Sequence, residues 1–222
     1  MVKVYRTISM AKPEIDAAIK EAEKGTTGEL VVALSRRAGD YGRQEATFAF
    51  GVALLSFVAS WVLGQRILFA DWTAAPYVRL GLFVTCLILL AGFLFGLGFC
   101  RAFPRFGLLL APKKRVDSEV EAAASVAFRR LNITDTKADT GVLIYVAELE
   151  RRVVVLGDCA IARKVSDQDW EAIRDDILEG IRKDDPKSGF LAGISRAGDL
   201  LRTYFPSETD TEDELPSEVH LS

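Results

Sequence analysis

Any chemistry in this chain has to come from carboxylates and guanidiniums. The single histidine, His220, lies in an acidic stretch near the end of the sequence. That excludes a Ser-His-Asp triad, a Cys-His pair or a histidine-ligated zinc site within the fold. No phosphate-binding Walker loop and no Gly-x-Gly-x-x-Gly turn after a strand is present. Asp139 stands just ahead of one apolar run and Asp158 just behind another. If those runs pair as an antiparallel hairpin, both aspartates fall at the same end and offer oxygens to Ca²⁺ or Mg²⁺. The same residues suit turns, where a short carboxylate bonds neighbouring backbone N–H groups. Glu148, Glu150, Arg151 and Arg152 crowd the opposite end, the composition of an exposed turn with surface ion pairs. The cysteines, Cys86, Cys100 and Cys159, are odd in number and match no disulfide framework or zinc spacing, so they read as small apolar filler.

The elements that must position these groups are legible in the periodicity. Ile15, Ala18, Ile19 and Ala22 mark one helical face within 9–24, with Gly25 at its end and a start close to Lys12 beside Pro13. Glu29–Ser35 is β-branched at its centre and reads as a strand. Asp117 or Ser118 caps a helix carrying Val120, Ala124, Ala127, Phe128 and Leu131. Gly141–Ala147 and Arg151–Leu156 are the two strands of the hairpin. Ser166 and Asp169 resemble a capping box ahead of a helix with Trp170, Ile173, Ile177, Leu178 and Ile181 on one face. A last helix occupies about 189–205. The first two strands, joined through a helix, are expected to be parallel, and the second and third antiparallel. The expected fold is therefore α/β, a small mixed sheet with helices on both faces.

Two uncharged stretches interrupt it, at 46–65 and 80–100. Each has the ~20 residues that cross a hydrocarbon core of roughly 30 Å. The expected domains are 1–45 and 104–206 as two parts of one α/β domain, 46–103 as a transmembrane hairpin, and 207–222 as an unstructured tail. From Ser207 onward the tail holds six acidic residues and no Lys or Arg. No cleaved signal is visible ahead of the first span, which would act as an uncleaved anchor. Ser56, Ser60 and Gly64 form a small-residue row in the first span, and Gly92 and Gly96 a Gly-xxx-Gly pair in the second. Such rows suit packing within the hairpin or homodimerisation. With no ionisable group inside either span, a transport path is not expected.

Orientation follows from the basic residues. Arg36, Arg37 and Arg43 precede the first span, and Arg101, Arg105, Lys113, Lys114 and Arg115 follow the second, while the connecting loop holds only Arg66 and Arg79. The positive-inside rule then places both halves of the domain and both termini in the cytoplasm, with those eight residues at the membrane interface and Trp61, Trp72 and Tyr77 at the outer one. The formal net charge of −3, without a basic stripe, gives no reason to expect nucleic acid as a partner.

A family resemblance attaches to specific motifs. Thr27-Gly28-Glu29-Leu30-Val31-Val32, then Asp139-Thr140-Gly141-Val142-Leu143-Ile144-Tyr145-Val146, then Glu150-Arg151-Arg152-Val153 with Gly157-Asp158 resemble the TPM-domain family, named partly from a thylakoid-lumen protein of photosystem II repair. A bacterial membrane subgroup with two inserted spans is similar down to its acidic Glu-Leu-Pro tail, here Glu214-Leu215-Pro216. The resemblance implies a Rossmann-like α/β sandwich and an accessory role, with phosphatase activity and divalent-cation binding attributed to some members. Together these readings lead us to expect an interaction module at the bacterial inner membrane, its partners the bilayer and another membrane protein. A divalent-metal-dependent phosphatase using Asp139 and Asp158 is the alternative.

Overall fold

A computed structural model of the chain describes residues 3–68, 82–135, 139–207 and 218–221. It divides into two compact units, 1–39 with 114–222, and 40–113.

The first unit is built on a four-stranded sheet in the order β3-β2-β1-β4. β1 (Glu29–Ser35) and β2 (Gly141–Ala147) run parallel, with Glu29 opposite Gly141 and Ser35 opposite Ala147. β3 (Arg152–Gly157) returns antiparallel to β2. Every residue of β1 and β2 is buried, which is why both read as continuous apolar runs: helices cover the sheet on each face. Strand alternation sorts the side chains. Leu30, Val32, Leu34, Val142, Ile144 and Val146 face α1 (Lys3–Met10), α2 (Lys12–Glu23), α8 (Asp167–Arg182) and α9 (Pro186–Tyr204). Val31, Ala33, Leu143 and Tyr145 face Val120, Ala124 and Phe128 of α6 (Lys113–Arg130).

The expected helix starts at Lys12, as α2, with Pro13 in its first turn, where its missing N–H costs nothing, and a separate helix, α1, precedes it across Ala11. The capping box at the start of α8 forms as its sequence suggests, Ser166 Oγ accepting from the Asp169 N–H and the Asp169 side chain from the Ser166 N–H. The expectation of an unstructured tail fails at its far end. Val219–Leu221 form β4, parallel to β1, with the Val219 N–H on Asp16 Oδ1 at 2.9 Å and Lys12 on Glu218 at 2.9 Å. Its neighbours at 208–217 lie outside the described residues.

The second unit is a pair of helices, α3 (Gly42–Leu68) and α4 (Leu82–Ala102), followed by the short α5 (Pro104–Leu109). Both α3 and α4 are long and apolar enough to cross a membrane, and only 11% of each apolar window is buried. The large side chains point outward: Leu55 is 69% exposed, Phe83 79% and Phe95 70%. Where the helices touch, the residues are small. A side chain at Gly96 would lie 2.6 Å from the Ala49 Cα, and one at Gly92 2.9 Å from the Ala53 Cα and the Ser56 Oγ. The small-residue row on α3 is thus Ala49, Ala53 and Ser56, shifted from the expected Ser56, Ser60 and Gly64. Ser60 turns its hydroxyl onto the Phe57 carbonyl, and the surroundings of Gly64 lie outside the described residues, as do those of Arg66, Trp72, Tyr77 and Arg79. Phe106 of α5 packs edge-on against Phe48 and Phe99, at 4.8 and 5.3 Å between ring centroids.

Candidate functional site

Asp139 and Asp158 do lie at one end of the β2–β3 hairpin. The Asp158 N–H donates to the Gly141 carbonyl at 2.8 Å, and the Ala160 N–H donates to the Asp139 carbonyl at 3.3 Å. The two differ sharply in environment. Asp139 is exposed and holds a left-handed backbone (φ 53°), a conformation that Asp tolerates in turns. Asp158 is buried and caps the four-residue α7 (Cys159–Ala162) through Oδ1, which accepts the Cys159 N–H at 2.7 Å. Its second oxygen, Oδ2, is buried and has no hydrogen-bond partner among the described residues. A buried carboxylate oxygen left in that state suits a cation or a bound water better than empty space. Among the described residues, however, no cluster of three or more His, Cys, Asp or Glu side chains is arranged to hold a metal ion. The hairpin supplies one oxygen suited to Ca²⁺ or Mg²⁺ and an exposed neighbour, not a complete shell.

At the opposite end the expectation of an exposed turn with surface ion pairs holds for Arg152, which pairs with Asp117, but fails for Glu150. Glu150 is 5% exposed, and its Oε1 accepts the N–H groups of Ala38 and Gly39 at 3.0 and 3.2 Å. The turn's backbone adds to this clamp, Glu148 N–H to the Ser35 carbonyl at 2.9 Å and Leu149 N–H to the Arg36 carbonyl at 3.1 Å. The Glu148 carboxylate takes the Val4 N–H at 3.2 Å, and the Arg36 guanidinium lies 4.1 Å from the Tyr5 ring centroid. Arg37 folds back onto the Gly39 carbonyl at 2.7 Å. In an open α/β sheet this is where ligands enter, at the carboxyl ends of the parallel strands. Here the β2–β3 turn and residues 36–39 fill that place with each other. Tyr145 reports the same dryness: burial pushes its hydroxyl pKa up from the ordinary tyrosine value, against the lowering effect of its bond to Ser35. Sequence reasoning missed Glu150 because nothing in Glu-Leu-Glu-Arg-Arg distinguishes a buried carboxylate from an exposed one; the N–H groups it serves lie more than a hundred positions away.

The other basic residues expected at a membrane interface are mostly exposed. Arg43 lies at a small cleft with Thr47, Phe48 and Leu110, and Arg101, Arg105, Lys113 and Lys114 face solvent. Arg115 pairs with Glu119 at 3.6 Å. Of the cysteines, Cys100 is buried while Cys86 and Cys159 are exposed, and all three are free thiols.

Comparison with known proteins bears on the fold. No curated protein matches the chain. The NMR structure of the BA42 protein from the psychrophilic bacterium Bizionia argentinensis is similar to it with a TM-score of 0.57 and 23% identity, over 96% of this chain and 94% of that one. Residues 111–200 match the TPM domain family, a span from just before α6 to within α9, while β1 and β4 lie outside it. Residues 111–200, which include β2 and β3 of the mixed sheet, are thus a TPM domain.

Proposed function

We propose that this chain is a membrane-anchored accessory module that works by holding another membrane protein rather than by catalysis. It belongs, on this reading, with bacterial TPM proteins whose domain carries two inserted spans. The carrying observation is the Glu150 clamp: the crevice where an α/β sheet ordinarily takes a substrate is occupied by the chain's own turn. Two helices with outward-facing apolar side chains, inserted between β1 and α6, supply the anchor. The excess of Lys and Arg on the outer flanks of both helices supports a cytoplasmic domain and cytoplasmic termini at the bacterial inner membrane. A role in assembly or turnover of membrane proteins fits such a tether. The test is affinity purification of the tagged full chain from gently solubilised membranes. A specific, stoichiometric membrane protein is the expected result, and repeated recovery of the chain alone would overturn the reading. Protease added to intact cells should spare a C-terminal tag; cleavage there would reverse the orientation.

One observation favours a second reading. The unsatisfied Asp158 Oδ2 suits a Ca²⁺ or Mg²⁺ ion in a cation-dependent phosphatase, with Asp139 as the neighbouring carboxylate. A bound cation there would neutralise charge on a phosphoryl group, while the two aspartates would hold and orient it. Phosphatase activity that survives Asp139→Asn with Asp158→Asn removes this reading.

A further inference from the structure

The two edges of the sheet are treated differently. β4 covers the β1 edge, whereas among the described residues β3 has no strand on its outer side. Which of its backbone groups face outward follows from the register. Asp158 lies opposite Gly141 and donates its N–H to that carbonyl, so this is a hydrogen-bonded pair. Alternation in an antiparallel ladder then makes Leu143–Leu156, Tyr145–Val154 and Ala147–Arg152 bonded pairs too. The N–H and C=O groups of Val153 and Val155 point away from β2, towards the open edge.

That edge is the floor of a groove of about 720 Å³ running between α6 and α8. Its two ends are closed. Arg152 is held by Asp117 at 2.7 Å at one, and the Trp170 ring lies against Gly157 at the other. The α8 wall offers Trp170 and Leu178, both half-buried, and the α6 wall offers Val120. Val153–Leu156 carry no charge, proline or bulge, the devices that normally protect a free edge. The groove carries five carboxylates against three guanidiniums, hence a net charge of −2. Arg152 and Arg174 are already engaged by Asp117, Glu171 and Asp175, so among the described residues the carboxylates of Glu121 and Asp167 lie outside any ion pair, against Arg182 alone.

The geometry points to β3 as a docking edge for an extended, basic peptide segment of a protein partner, added as a fifth strand antiparallel or parallel to β3. This deepens the accessory-module reading and rests on it. Main-chain bonds to Val153 and Val155 supply the affinity. Side chains alternate along the added strand, so apolar residues meet Trp170 and Leu178 while Lys or Arg residues reach the Glu121 and Asp167 carboxylates. Between the Arg152–Asp117 pair and Trp170 there is room for a strand of about four to five residues at ~3.3 Å each.

The test uses the full chain in nanodiscs and a fluorescent peptide alternating Val with Lys or Arg. Saturable binding is expected, with slowed amide exchange confined to Val153 and Val155 along β3. Alternate N-methylation of the peptide, or replacement of its basic residues by Glu, should weaken binding at least tenfold. Val155→Pro should do the same. Its N–H is not used within the sheet, so the substitution leaves the β2–β3 ladder in place. Glu121→Lys with Asp167→Lys is the second variant, independent of any effect of proline on folding, and it should reverse the preference towards the Glu peptide. No saturable binding, or binding indifferent to N-methylation and to Val155→Pro, overturns the proposal. So does a dimer of the chain that Val155→Pro dissociates, since a second copy would then own the edge. The two readings fail separately: a membrane partner recovered equally by wild type and Val155→Pro removes the docking edge but keeps the module, whereas recovery of no partner removes the module whatever the peptide does.

Discussion

In the sheet domain the large apolar side chains turn inward, and Leu143, Ile144 and Phe190 are fully buried. In the helix pair most of them turn outward, and glycine, alanine and serine form the closest contacts between α3 and α4. Similar amino acids are thus used in opposite senses within one chain. The domain excludes water by burying its bulk; the helix pair turns most of its bulk outward, as an apolar solvent would favour, and brings its backbones close where side chains are smallest. Composition alone does not separate these cases. The separation comes from which side of each element the bulk occupies.

The largest effect that could break this contrast is a matched truncation. Ile144→Ala in the domain should cost about 2–5 kcal/mol of stability. Leu55→Ala in α3 should change it by no more than about 0.5 kcal/mol. Chemical denaturation of the full chain in micelles, followed by circular dichroism, compares them, and equal losses would show that Leu55 is packed after all. Next comes the helix contact itself. Gly96→Val should weaken the α3–α4 pair by about 1–3 kcal/mol, since its side chain meets the Ala49 backbone. Gly98→Val points into open space and should do little. The alkylation rate of buried Cys100, with Cys86 and Cys159 replaced by Ser, reports opening of the pair. A smaller effect belongs to the cap of α8: Ser166→Ala should lower the domain's stability by about 1 kcal/mol without touching the helix pair.

The smallest effect concerns β4. Burial lowers the His220 pKa below its ordinary value near 6.5, with Lys12 adding to the shift and Glu218 and Asp16 opposing it. The unfolded state therefore binds more protons in the window below about pH 6.5. Docking of β4 should be at full strength above that pH and weaken as pH falls through it. The Lys12–Glu218 pair stays charged throughout, because Lys12 holds the Glu218 pKa below its ordinary 4.5. Amide exchange at Val219 and Leu221, corrected for the intrinsic pH effect, should speed up between pH 7.5 and 5.5, and a His220→Gln variant should lose that dependence.

The parts of the fold that were legible are those whose signal is local. β1, β2 and β3 announce themselves through runs of Val, Leu and Ile, and their parallel and antiparallel pairings follow from the connections. The Ser166–Asp169 box needs only residues three apart. What stayed hidden depends on distant partners. Val219-His220-Leu221 is too short to carry a strand pattern and becomes one by pairing with Val32–Leu34. Glu150 looks like any turn glutamate until Ala38 and Gly39 present their N–H groups to it. At the candidate site the sequence placed Asp139 and Asp158 together, but burial of only one of them is a property of the packed α7 turn. The contact row on α3 keeps Ser56 but runs through Ala53 and Ala49, because alanine is as small at the helix surface as serine or glycine.

The registration of β1 with β2 sets an order of events during synthesis. Thr140 Oγ1 bonds the Thr27 carbonyl across 113 positions of sequence. At a translation rate of about 5–20 residues per second, the ribosome needs roughly 6–23 seconds to cover that distance. Throughout that interval β1, every residue of which ends up buried, waits without its partner while both apolar helices emerge. The last strand to join, β4, arrives later still and docks on the side of β1 away from β2. The nascent chain must therefore shelter its first strand for seconds before the core that consumes it exists. An early contact of β1 with α2, which precedes it in sequence and packs against it, is what such a delay calls for.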